Sequence, residues 1–175
     1  MHRINTVDWV LRGSLAALSI AFVAVVAKAV YDPPIHVVVA GEQAPSFRIA
    51  AETGRTVSVP NFGGNLLVLN FWATWCPPCV EETPSLSQFA QDFAGKGVVV
   101  LGVSVDKDQK AYGAFLQKFH PAFLTARDMS LHEDYGTYMY PETYIIDANG
   151  KVLKKIAEPA DWVNPKMTAY ISSLL

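Results

Sequence analysis

Two stretches of the chain, Leu66–Phe71 (LLVLNF) and Val98–Val105 (VVVLGVSV), are apolar at nearly every position. A strand with one solvated face alternates apolar and polar residues. A run without alternation needs cover on both faces and marks a central strand of a sandwiched sheet. Between the two runs the periodicity changes: Leu86, Phe89 and Phe93 share one helical face, and Gly95 and Gly97 end that helix. A helix is predicted over Gln109–Phe119, a strand at Ala122–Thr125 and a short helix at Ser130–Tyr135. Strands at Glu142–Ile146 and Val152–Ile156 flank Asp147-Ala148-Asn149-Gly150, whose Asn-Gly is a strong hairpin signal. Asn164-Pro165 reads as N-cap and first position of a closing helix to Leu175, and Arg55–Val59 as a short early strand. This order predicts a three-layer α/β/α sandwich around a mixed central sheet.

The 175 residues suit one domain plus a tail, and a 51% hydrophobic composition excludes intrinsic disorder. Fourteen Lys and Arg against 16 Asp and Glu leave a formal charge of −2, so there is no basic footprint for nucleic acid. The N-terminal part is of different composition. Gly13–Ala27 carries no charge, and at about 1.5 Å per residue it covers roughly 22 Å of a hydrocarbon core about 30 Å thick. If Lys28 snorkels, the span continues to Tyr31. With Arg3 and Arg12 ahead of the run, residues 1–12 are expected in the cytoplasm, 13–31 as a single-pass transmembrane anchor of a bacterial-type inner membrane, and 32–41 as linker. The domain of residues 42–175 then faces the periplasm or extracytoplasmic space. The rival reading is a cleaved signal peptide with Ala27-Lys28-Ala29 as its cleavage site.

Only two cysteines are present, Cys76 and Cys79, in Trp75-Cys76-Pro77-Pro78-Cys79 at the junction of the first long strand and its helix. One turn apart on one face, they lie within reach of a disulfide. The first sulfur sits at the helix mouth, where free N–H groups and the dipole favour thiolate, and the second can resolve a mixed disulfide. A loop this small would stabilise the fold little, so exchange fits better than a permanent crosslink. A closed zinc site needs four ligands, and His2, His36, His120 and His132 form no metal-binding pair at the usual spacing, so no metal or other cofactor is expected.

The stretch LNFWATWCPPCVEETPSL, with GVSVD at 102–106 and YPETYIID at 140–147, resembles the thioredoxin superfamily, and within it the membrane-anchored TlpA/ResA branch that includes cytochrome c maturation reductases. The resemblance implies a thioredoxin-like fold and a thiol–disulfide oxidoreductase acting on protein disulfides. Its electrons would come from a transmembrane donor, and a monomer is expected. Cys76 corresponds to the attacking thiolate and Cys79 to the resolving thiol, paired as the redox-active disulfide. Pro84 corresponds to the proline that kinks the active-site helix, and Pro141 to the cis-proline facing the dithiol. Tyr140 would then touch the substrate, Trp75 would add apolar surface beside Cys76, and Phe71 belongs to the core.

The chain departs from ordinary thioredoxins where Asn70 replaces their buried aspartate. Glu82, at i+3 from Cys79, is the candidate base, with a solvated first-turn glutamate as the plainer reading; Glu142 is a second candidate. Pro77 and Pro78 remove two N–H donors from the Cys76 thiolate, which predicts a reducing couple. Two alternatives remain. A peroxiredoxin-like peroxidase would use Thr74, and a copper-site assembly chaperone would use His120 and Met139, although copper-delivery relatives space their cysteines by three residues.

Overall fold

A computed structural model of the chain describes residues 6–31 and 35–175. The chain divides into two units between Ile35 and His36. The first contains α1 (Thr6–Tyr31), on which Leu15, Leu18, Ile20, Phe22 and Val25 are exposed. Among the described residues no helix is long and apolar enough to cross a membrane, so the helix expected over 13–31 is present and a span is not identified. Residues 1–5 of the expected cytoplasmic stretch and 32–34 of the expected linker lie outside the described residues.

The second unit runs β1 (Arg48–Ala50), β2 (Thr56–Ser58), β3 (Leu66–Trp72), α2 (Pro77–Asp92), β4 (Val98–Ser104), α3 (Gln109–Phe119), β5 (Leu124–Arg127), α4 (Leu131–Asp134), β6 (Glu142–Asp147), β7 (Val152–Ile156) and α5 (Pro165–Ser172). Five strands form one sheet in the order β5-β4-β3-β6-β7. β3, β4 and β5 are parallel, and β6 and β7 are antiparallel to their neighbours. All of β3 is buried, as its composition demands. Successive side chains point to opposite faces. Leu67, Leu69 and Phe71 join Leu101, Val103, Tyr144 and Ile146 on one face. Leu66 and Val68 meet Leu86, Phe89 and Phe93 of α2 on the other, together with Trp162 and Ile171. Trp72, of the same parity, packs on Tyr112 and Phe115 of α3 at 6.0 and 4.5 Å between ring centroids. Gly102, on β4 beside Asn70, leaves room for it: a Cβ there would lie 2.7 Å from the Phe123 ring and 3.0 Å from the Trp72 indole nitrogen.

The expected third layer is only partly helical. The face bearing Phe71 is covered by Val57 of β2, Phe62, Leu131 of α4, Tyr135 and Val38. The connection from β5 to β6 holds one four-residue helix, too short to build a full helical layer. The packed unit also starts ahead of residue 42. Val38 is 1% exposed, and its amide donates to the Tyr135 carbonyl at 3.1 Å. That strap crosses Gly136 so closely that a Cβ there would sit 2.3 Å from the His36 carbonyl oxygen.

Element boundaries follow local chemistry. α3 begins and ends as predicted, with the Asp108 carboxylate accepting from the amides of Lys110 and Ala111. Asn164 caps α5 by accepting from the Lys166 amide, although α5 stops at Ser172, short of Leu175. The strand expected at Ala122–Thr125 starts two residues later, because Phe123 turns its ring into the helix-side core before pairing begins. β1, which pairs antiparallel with β2, has no counterpart in the sequence pattern: three residues carry no readable period.

Candidate active site

The chain leaves β3 and turns before entering α2, and one carboxylate fixes that turn. Asp106, 1% exposed, accepts from the Thr74 amide at 2.9 Å, the Thr74 hydroxyl at 2.6 Å and the Ser104 hydroxyl at 2.6 Å. The last residue of the GVSVD motif is therefore the clamp between the end of β4 and the residues ahead of the dithiol. It also occupies the Thr74 hydroxyl that a peroxidase would use.

Cys76 is the N-cap of α2, and its sulfur accepts from the Cys79 amide at 3.3 Å. Pro77 and Pro78 supply no N–H, so this is the one first-turn amide bonded to the sulfur. The two cysteines are joined by a disulfide with their Cα atoms 5.3 Å apart. Both are buried, at 4% and 3% exposure. The cover comes from the loop before β6. The Tyr140–Pro141 peptide bond is cis, and the Tyr140 carbonyl oxygen lies 3.4 Å from Cys76 Sγ. The Tyr140 ring meets Trp75 edge to face at 5.8 Å, and Trp75 itself is 62% exposed. Tyr138 and Met139 are exposed as well, so an apolar rim surrounds the dithiol. His132, not singled out from the sequence, anchors this rim: its Nδ1 lies 3.1 Å from the Tyr140 hydroxyl and 2.7 Å from the Thr137 carbonyl oxygen.

Further along α2, Pro84 lies inside the helix and removes a bond to the Val80 carbonyl. The hydroxyls of Thr83 and Ser85 donate to the carbonyls of Cys79 and Glu82 on either side of that gap. Glu82 is buried and Glu81 exposed, which excludes the solvated reading of Glu82. The Trp162 indole N–H donates to Glu82 Oε1, while Oε2 is buried without a hydrogen-bond partner. Desolvation dominates and pushes the carboxyl up to about 7, with the Trp162 bond and the Ala160 backbone acting in the opposite direction. Trp162 had no signal in the sequence; it sits in a polar loop 80 residues from its partner.

Glu142 is buried too, but three partners converge on one of its oxygens. The Thr137 and Tyr144 hydroxyls each donate to its Oε1 at 2.5 Å, and Lys155 Nζ lies 3.1 Å away. Asn70 is buried, with its amide donating to the Thr143 hydroxyl at 2.9 Å. His120 caps α3 in the left-handed region (φ 43°), and Met139 is 71% exposed. Among the described residues no group of three or more His, Cys, Asp and Glu side chains could hold a metal ion.

The Redoxin family matches residues 39–171. The chain belongs to that family. It is similar to the thioredoxin-like protein YneN of Bacillus subtilis, 35% identical over 115 residues, which span 64% of this chain and 68% of that protein. Over 122 residues it is 34% identical to the thiol-disulfide oxidoreductase ResA of Geobacillus thermodenitrificans, covering 68% of this chain and 70% of the relative. The solved thiol-disulfide oxidoreductase from Bacteroides fragilis superposes with a TM-score of 0.63 at 25% identity, covering 77% of this chain and all of that one. Together with a disulfide at the helix mouth, these likenesses make the chain a thiol–disulfide oxidoreductase of the ResA type within the thioredoxin superfamily.

Proposed function

We propose that this oxidoreductase runs as a reductase of protein disulfides outside the cytoplasm. The observation that carries the direction is the cap of Cys76. Two prolines leave a single amide, that of Cys79, on its sulfur, so the thiolate is weakly stabilised and the oxidised state is favoured. The Cys76 thiolate attacks a client disulfide, one client sulfur leaves as thiolate, and a mixed disulfide forms. Cys79 gives its proton to the Glu82 carboxylate, attacks Cys76 and expels the second client thiolate. Two electrons have then passed from the dithiol to the client, and a membrane-embedded dithiol donor restores the reduced enzyme. Trp75 and Tyr140 form the apolar wall against which an unfolded client rests beside the cis Pro141.

The uncharged run Gly13–Ala27 behind Arg12 supports export, with residues 13–31 kept as a single-pass anchor or removed as a signal peptide. The resemblance to the TlpA/ResA branch points to clients such as apocytochrome c, whose paired cysteines must be reduced. Cys79→Ser, expressed in cells, should accumulate reducible adducts through Cys76 with exported proteins. Adducts with cytoplasmic proteins alone would overturn the compartment. A Cys76 that resists alkylation in the reduced, folded protein would overturn the activity.

A further inference from the structure

The Glu82 carboxyl is gripped from one side only. Its Oε1 takes the Trp162 indole N–H, and its Oε2 is buried with no partner. Trp162 is itself immobilised. It is fully buried, its ring lies 5.3 Å from that of Phe89, and its backbone amide donates to the Ser85 hydroxyl at 3.3 Å. Ser85 thus ties the loop after β7 to the helix that carries the dithiol. Beside this contact runs a cleft of about 300 Å³ lined by Pro78, Glu81, Glu82, Ser85 and residues 159–161. The titratable groups around Glu82 are Cys79 and Glu81 on α2 and Asp161 on the opposing loop.

We infer that Trp162 is a positioning residue for the proton that Cys79 gives up: by holding Oε1 it assigns Oε2 to receive that proton, and the cleft passes it on to water. The inference rests on the proposed role of Glu82 as base. An indole N–H suits this task because it is a donor only, with no lone pair to compete for the proton and no titration of its own in this range. In the ionised carboxylate it stabilises Oε1. In the neutral acid Oε1 is the carbonyl oxygen and still accepts, so the bond survives the transfer and the proton resides on Oε2. Cys79, one helical turn away on the same stripe, is the source of the proton, and the client thiolate or water in the cleft is its destination.

The test is the resolving step read with dithio-bis-nitrobenzoate. Attack by Cys76 releases one thionitrobenzoate, and displacement by Cys79 releases the second, whose rate is followed against pH. In the wild type the second release should rise through a limb set by Glu82. Trp162→Phe keeps the ring on Phe89 and removes the donor, so the ionised carboxylate loses a stabilising bond. Its limb should move to higher pH by about one unit, a tenfold change in the ionisation constant. Glu82→Gln should abolish the limb. Coincident wild-type and Trp162→Phe limbs, with Glu82→Gln distinct, would make Trp162 a packing residue and sink the inference while leaving Glu82 as base. A limb unchanged in Glu82→Gln would remove the base as well. Should Trp162→Phe fail to fold, the wild-type indole N–H resonance that shifts in Glu82→Gln decides the matter. It must titrate along the same limb, and a static resonance overturns the inference.

Discussion

The two ends of the active-site loop system each bury a glutamate, and the two are treated in opposite ways. Glu142, next to the cis Pro141, has two hydroxyl donors and the Lys155 ammonium on it, so its charge is compensated where it stands. Glu82, on the dithiol helix, has the Trp162 indole N–H and the Ala160 backbone but no charged partner among the described residues, and its second oxygen is bare. Burial alone therefore does not make a base. Burial with too few partners raises a carboxyl toward neutrality, as at Glu82, and so suits it to the role proposed for it. The first glutamate ties down the loop that carries Tyr140, and the second leaves an undersatisfied carboxyl on the dithiol helix, which is what the proposed proton transfer requires.

The contrast can be broken most directly at Lys155. Lys155→Met strands the Glu142 charge in the interior, and urea unfolding at pH 7 should show a loss of about 3 kcal/mol. A loss within experimental error would mean that Glu142 is not held as an ion pair. The next effect has the opposite sign. The folded-state value of Glu82, about 7, lies above its ordinary 4.5, so the folded protein keeps a proton that the unfolded chain releases between those values. Stability attributable to this group falls as pH rises from 4.5 to 7, and the penalty is fully present above 7. Glu82→Gln, which keeps an acceptor for Trp162, should exceed the wild type by on the order of 2–3 kcal/mol at pH 8 and match it near pH 4. Parallel pH–stability curves for the two proteins would contradict an undersatisfied Glu82. The smallest effect belongs to Thr137→Val, which removes one of three partners of Glu142. A loss of about 1 kcal/mol is expected from thermal unfolding, with no change in the pH dependence of dithiol reactivity.

Much of this architecture was legible in local signals. The unalternating runs named β3 and β4, the Asn164 cap marked the start of α5, and Asn149-Gly150 placed the β6–β7 turn. The dithiol was likewise visible from its spacing, and the proline before β6 through the family resemblance of the motif that contains it. What could not be read was the company each side chain keeps. Whether Glu82 is solvated depends on Trp162, and whether Glu142 is free depends on Thr137, Tyr144 and Lys155. Glu82 and Trp162 meet only when a loop 80 residues downstream folds over α2. Asp106 closes the GVSVD motif, yet its job of fixing the turn ahead of Cys76 emerges only when β3 and β4 lie side by side.

The strap that seats Val38 beneath α4 sets a practical limit on how this domain can be handled. A proteolytic cut or cloning boundary placed ahead of His36 spares the plug. One placed at residue 42 pulls a fully enclosed valine out of the wall supporting the tyrosine cluster behind the catalytic loop. Preparations trimmed too closely would then show a sluggish or heterogeneous enzyme for reasons unrelated to sulfur chemistry.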